Sequence, residues 1–200
     1  YYGTDSFTYS ASNGGETSGT ATATISVTAP VATLAPASGP LTPGTVGASY
    51  SQIFTMTGGT APFSYSATGL PAGLNLNPAT GPLSGTPTVA GPSTFTIQAT
   101  DSSNGAGGAI SVTQSYSLTI ATPTVTVGPV SVSNPTAGIA YSQTLVGAGG
   151  AAPYAFAITG GALPAGLSMM ANGTIAGTPT AAGGFSFTMT ATDKNGFSGS

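Results

Sequence analysis

Apolar residues alternate with threonine and serine through most of this chain. Between Ala21 and Thr28 the alternation is strict. Ala21, Ala23, Ile25 and Val27 fall on one side, and Thr22, Thr24, Ser26 and Thr28 on the other. A period of two sends successive side chains to opposite faces of an extended backbone, as in a half-buried strand. Such segments recur roughly every 8–12 residues, separated by clusters of Gly, Pro, Asn and Ser that turn the chain. No stretch combines a helical period with capping residues. The pattern predicts an all-β protein.

Residues 1–28 read as a hairpin. One strand runs from Asp5 to Ala11 with Phe7 and Tyr9 alternating, Asn13-Gly14-Gly15 turns, and the Ala21–Thr28 strand returns. Seven strands then follow at Val31–Ala35, Ser49–Thr57, Phe63–Thr68, Leu74–Asn77, Pro82–Gly85, Ser93–Asp101 and Val112–Ile120. Their predicted core includes Tyr50, Ile53, Phe63, Tyr65, Leu70, Leu74, Leu76, Leu83, Phe95, Ile97, Ala99, Tyr116, Leu118 and Ile120.

One phrase is written twice. Gly69-Leu70-Pro71-Ala72-Gly73-Leu74 leads to Leu83-Ser84-Gly85-Thr86-Pro87, and Leu163-Pro164-Ala165-Gly166-Leu167 leads to Ile175-Ala176-Gly177-Thr178-Pro179. Tyr50 recurs as Tyr141, Gly85 as Gly177 and Phe95 as Phe187, a spacing of 91 to 92 positions. That length is one β-sandwich domain per repeat, too long for a solenoid unit. The second core is then Tyr141, Tyr154, Phe156, Leu163, Leu167, Met169, Ile175, Phe187, Met189 and Ala191.

The expected domains are a hairpin over 1–29 that closes a preceding domain, a complete sandwich over 30–121, and a second over 122–200 without its last strand. Short proline linkers, Ala29-Pro30 and Ala121-Thr122-Pro123, would string these domains end to end. Two explanations of the open final strand stand side by side. The chain is a window on a longer protein, or it is an assembly unit whose free sheet edge takes a strand from a neighbour. Within the phrase, Pro71 and Pro164 stiffen a turn and Gly73 and Gly166 supply backbone angles other residues avoid.

The phrase also carries a resemblance. Gly69 to Leu76, Gly81-Pro82-Leu83-Ser84-Gly85-Thr86-Pro87 and Phe95-Thr96-Ile97-Gln98-Ala99-Thr100-Asp101 resemble the immunoglobulin-like repeat of bacterial surface proteins. The later Leu163–Leu167, Ile175–Pro179 and Phe187–Asp193 carry the same marks. That family is related to dystroglycan-type cadherin-like domains, and Tyr2 to Tyr9 resembles the late strands of a cadherin-like tandem repeat. The resemblance implies tandem immunoglobulin-like or cadherin-like sandwiches in extracellular or cell-surface proteins. It further implies structural modules of a bacterial fibre, filament or adhesin stalk, with other copies or adjacent repeats as partners. A glycan- or host-surface-binding module, or an accessory domain of a secreted or phage-borne protein, is the alternative.

Composition narrows the chemistry. There is no His, Cys or Trp, one cation, Lys194, and four acids, Asp5, Glu16, Asp101 and Asp193. General acid–base and nucleophilic catalysis draw on groups that are absent or scattered here, so no enzymatic activity is expected. Zinc and copper sites built from His and Cys are excluded. One lysine cannot neutralise a run of phosphates, which argues against nucleic acid and anionic lipid as partners. No apolar run reaches membrane-spanning length, so no membrane insertion is expected. Charged residues make up 2% of the chain, against roughly a quarter to a third of an ordinary soluble surface. Either this is a neutral, hydroxyl-rich extracellular surface, or much of it is covered by other copies.

Calcium is the one cofactor the resemblance brings forward, since cadherin-like relatives use it between domains. Asp101 with Asn104 and Asp193 with Asn195 occupy matching loops and offer carboxylate and amide oxygens. The structural reading is that each Asp caps its own loop through backbone amides. Asn172-Gly173-Thr174 matches a glycosylation sequon and also reads as a tight turn. Tyr50, Tyr141, Phe63 and Tyr154 recur at core positions, not as a flat aromatic platform for sugars.

Overall fold

The strand-forming alternation resolves into twenty short strands in a computed structural model that describes residues 2–104 and 107–200. Tyr1, at the head of the expected hairpin, and Gly105-Ala106, after Asn104, lie outside the described residues. Among the described residues there is no helix. By contact density the chain forms two compact units. The first holds Tyr1–Thr42, Ser51–Gly85 and Pro92–Leu118; the second holds Pro43–Tyr50, Thr86–Gly91 and Thr119–Ser200.

In the first unit, β1 (Gly3–Tyr9) and β2 (Ala21–Val27) form an antiparallel hairpin in the register Gly3↔Val27 to Tyr9↔Ala21. Phe7, Tyr9, Ile25 and Val27 stay exposed on it. The chain continues through β3 (Thr33–Ala35), β4 (Gly39–Pro40), β5 (Gly44–Thr45), β6 (Tyr50–Ile53), β7 (Thr55–Thr57) and β8 (Ser64–Thr68). Then come β9 (Leu74–Leu76), β10 (Pro82–Gly85), β11 (Gly91–Thr100) and β12 (Ser111–Ala121). One face of the sandwich is built from β3–β7 and from β6–β10–β9, the other from β4–β12–β11–β8. Between them lie Leu34, Phe54, Met56, Leu83, Phe95, Ile97, Tyr116 and Leu118, all buried. The Phe54 and Tyr116 rings meet edge-on with centroids 4.9 Å apart, a favourable aromatic geometry.

Several expectations need correction here. The predicted single strand Ser49–Thr57 is two strands, because β6 pairs with β10 while β7 crosses to pair with β3. Ile53, predicted in the core, is 58% exposed, whereas Phe54 beside it is fully buried. The inward parity runs through Tyr50, Phe54 and Met56, which puts Ile53 on the solvent side. Val31 also lies outside β3 and is exposed. Phe63, Leu70 and Leu76, predicted as buried, are half-buried.

In the second unit, β5 runs parallel to the end of β12, with Gly44 opposite Ile120 and Thr45 opposite Ala121. Beyond them come β13 (Thr126–Gly128), β14 (Tyr141–Thr144), β15 (Val146–Ala148) and β16 (Ala155–Gly161). The last strands are β17 (Leu167–Met169), β18 (Thr174–Gly177), β19 (Phe187–Thr192) and β20 (Ser198–Gly199). They pair as β13–β15, β14–β18–β17 and β16–β19–β20. The split of the first repeat recurs: β14 and β15 pair with different sheets, and Leu145 between them is buried. Val125, Ile175 and Ala191 are also buried, but Tyr141, Tyr154, Phe156, Leu163, Leu167, Met169, Phe187 and Met189 are only half-buried, short of the prediction. β20 pairs with β19 at Ala191 and Thr192.

Candidate functional site

The repeated phrase is a turn locked by close backbone contact. The Leu74 N–H donates to the Pro71 carbonyl at 3.1 Å, and the Leu167 N–H to the Pro164 carbonyl at 3.0 Å. Gly73 and Gly166 sit at the third position with φ of 89° and 90°, which a type II turn reserves for glycine. Gly85 and Gly177 then pass so near that a Cβ on either would lie 2.1 Å from the carbonyl oxygen of Gly73 or Gly166. The printed contacts of the phrase run from backbone to backbone, and they hold the chain in shape.

The two aspartates lie in equivalent loops and make equivalent bonds. The Thr60 N–H donates to Asp101 Oδ2 at 2.9 Å, and the Ile110 and Ser103 N–H groups donate to Oδ1 at 2.6 and 3.3 Å. The Ser103 hydroxyl donates to both oxygens, at 2.8 and 2.9 Å. In the second repeat the Ala151 N–H donates to Asp193 Oδ2, and the Asn195 and Phe197 N–H groups to Oδ1, each at 2.9 Å. Each carboxylate thus ties its own loop to a segment 41 or 42 residues earlier. Burial alone would raise both carboxyls. The Thr60, Ile110 and Ser103 bonds, and in the second repeat those from Ala151, Phe197, Asn195 and Gly196, outweigh it and hold both below the ordinary carboxylate range.

The partners of these aspartates were not visible in the sequence reading, although a signal was present. Gly58-Gly59-Thr60 and Gly149-Gly150-Ala151 recur at the repeat spacing. Gly59 and Gly150 have φ of 80° and 70°, and a Cβ on either would stand 2.6 Å from the aspartate Oδ2. Only glycine lets the backbone approach the carboxylate this closely.

Asn104 and Asn195 are exposed, and Asn195 serves its aspartate through its backbone N–H. Among the described residues no group of three or more His, Cys, Asp or Glu could jointly hold a metal ion. Each aspartate loop also lies against an earlier part of its own compact unit. The Tyr2 hydroxyl donates to the carbonyls of Gly107, at 3.1 Å, and Gly108, and its ring packs on Gly107. In the second unit, Gly47 faces the Asn195 amide and Ala151. Asn172 accepts the Thr174 N–H at 3.1 Å within a tight turn at Gly173.

The second repeat contains a groove of about 690 Å³. Tyr141, Leu163, Leu167, Ile175, Phe185 and Phe187 form its apolar wall, and Val132 to Ala137 form one lip.

A family model described as "Putative Ig domain" matches residues 29–121 and, a second time, 122–200. The chain belongs to this family. The Ig-domain match takes in both copies of the repeated phrase and both aspartate loops. The chain is also similar to the "Serine-rich adhesin for platelets" of Staphylococcus aureus, with 32% identity over 146 residues in strains MRSA252 and MSSA476. The match covers 72% of this chain but only 10% and 6% of those relatives, so the chain spans a tenth of their length or less. Among solved structures, the mouse cadherin-23 EC22-24 fragment is 15% identical at a TM-score of 0.35, covering 95% of this chain and 68% of that one. Protocadherin gammaB7 EC3-6 is 13% identical at a TM-score of 0.37, covering 96% and 54%.

Proposed function

We propose that this chain is a run of non-catalytic Ig modules from an extracellular bacterial fibre, filament or adhesin stalk, displayed at the cell surface. The modules run over 30–121 and 122–200, preceded by the hairpin of 1–29. One observation carries the reading: the features shared by both repeats are scaffold features. The glycine–proline turn closes on backbone, and the aspartate carboxylates are taken up by backbone N–H groups. Repeating a domain for its length or surface needs this conservation of frame and no conserved reactive group. Similarity to staphylococcal adhesins supports a surface setting. In this reading Asp101 and Asp193 are structural ties, and Asn104 and Asn195 need not hold calcium.

Single-molecule pulling on the chain tests the module reading. Separate unfolding events for the two repeats are the expected result, and one merged event would overturn it. A screen against glycans and host-surface proteins tests the alternative. Saturable binding lost on substituting exposed residues of one repeat would favour a recognition module.

A further inference from the structure

We propose that Asn13 is a site of self-modification: its side-chain amide is lost to water through a succinimide formed with Gly14, while the fold protects Asn172 and Asn195 from the same reaction. The proposal is independent of the spacer reading, and either can fail alone.

The reaction needs an asparagine whose following backbone nitrogen can reach the side-chain carbonyl carbon. Glycine, with no Cβ, hinders that approach least. Four of the seven asparagines precede glycine: Asn13, Asn104, Asn172 and Asn195. Asn77 and Asn134 precede proline, whose nitrogen has no proton to lose. Gly105 lies outside the described residues, so Asn104 takes no part in the ranking.

Backbone conformation does not separate the three described pairs. Gly14, Gly173 and Gly196 have φ of 91°, 87° and 89°. Hydrogen bonds do separate them. The Gly173 N–H donates to the Met170 carbonyl and the Gly196 N–H to the Asp193 carbonyl, each at 3.0 Å. The Gly196 N–H also faces the Asp193 carboxylate, whose charge opposes loss of that proton. The Gly14 N–H makes a 3.5 Å contact with Ser12 Oγ, beyond the usual range of such bonds. Its nitrogen is the easiest of the three to turn toward a side chain. The carbonyl that it would attack is also the better prepared. Asn13 Oδ1 accepts the Gly15 and Glu16 N–H groups at 3.1 and 2.9 Å. Asn172 Oδ1 accepts the Thr174 N–H at 3.1 Å. The oxygen gains negative charge as the nitrogen adds, and donors already aimed at it stabilise that charge.

Hydroxide takes the Gly14 amide proton, and the nitrogen bonds to the Asn13 side-chain carbon. The side-chain nitrogen takes up a proton from water and leaves as ammonia. Water then adds to one of the two ring carbonyls, and the bond from that carbon to the ring nitrogen breaks. Opening on one side leaves an aspartyl residue at position 13, and opening on the other leaves an isoaspartyl link. Either product adds one negative charge to a chain of formal net charge -3. The isoaspartyl link also lengthens the backbone of the turn that the Asn13 N–H closes on the Glu16 carbonyl at 3.2 Å.

Incubating the folded chain in mildly alkaline buffer, then digesting it with pepsin for mass spectrometry, gives a rate at each asparagine. Asn13 should react about fivefold or more faster than Asn172 and Asn195, the factor expected for freeing one backbone hydrogen bond. In denaturant, once the chain is unfolded, the three rates should agree within about twofold, because the turns are gone. Two results would overturn the proposal. One is Asn172 or Asn195 reacting as fast as Asn13 in the folded chain. The other is the folded ranking persisting undiminished in denaturant, which would assign it to local sequence and not to the fold. Both measurements use the unaltered chain, so neither depends on a variant that must fold.

Discussion

Gly85 and Gly177 mark how little freedom the repeated phrase leaves to single residues. Each has φ near 140°, at 146° and 142°, and each would drive a Cβ into a carbonyl oxygen. Gly85→Ala and Gly177→Ala combine backbone strain with a clash against main chain, and each is expected to cost about 1–3 kcal/mol or more. Gly91, with φ of 130° and nothing within 4 Å, is the control: Gly91→Ala carries the strain alone and should cost less. Urea denaturation of the three variants gives the comparison.

The aspartates have a signature in pH. Asp101 and Asp193 titrate lower in the fold than in the unfolded chain. Their contribution is therefore complete above the unfolded carboxylate range and fades as pH falls through it toward the folded values. No histidine adds a step near neutrality. The thermal midpoint should stay level from about pH 6 to 8 and drop below about pH 4. The double variant Asp101→Asn, Asp193→Asn should start lower at neutral pH and show a shallower acid decline. An unchanged decline would place the acid sensitivity elsewhere.

At the scale of elements, the divided strand decides which residues matter. Phe54→Ala should cost about 3–5 kcal/mol and Leu145→Ala about 2–5, as buried residues at the crossing points. Ile53→Ala, one position from Phe54, should stay within about 0.5 kcal/mol. Denaturant midpoints on the same chain would separate the two classes. The contrast also shows where sequence reading runs out. The alternation from Tyr50 located a strand, but Ile53 and Phe54 are adjacent and both apolar, so hydrophobicity does not choose between their faces; the inward parity of Tyr50, Phe54 and Met56 does. Leu74, Phe95, Ile97 and Leu118 were legible because their strands alternate without interruption. Phe187 and Met189 alternate as Phe95 and Ile97 do, yet are half-buried where those are buried, a difference that local pattern does not encode. Asp101 and Asp193 stood out as isolated acids in matching loops. Their partners, some forty residues upstream, are brought in by the fold.

For the whole molecule, the Ig modules supply shape with very little charge. Stability should therefore hardly respond to ionic strength, and melting in low and high sodium chloride tests this directly. Millimolar calcium should leave the melting temperature unchanged, because both aspartate carboxylates already accept backbone N–H groups. A rise that disappears in Asp101→Asn or Asp193→Asn would establish calcium binding instead.

The segment from Tyr50 to Thr57 belongs to two sheets, joined to β10 at one end and to β3 at the other. Neither sheet can peel away without pulling on its neighbour, so opening of this region is all-or-none. A half-open form would bare strand edges in a protein with almost no charge to hold its copies apart. Scarcity of that form would guard the chain against aggregation, a task that surface charge performs in most other proteins.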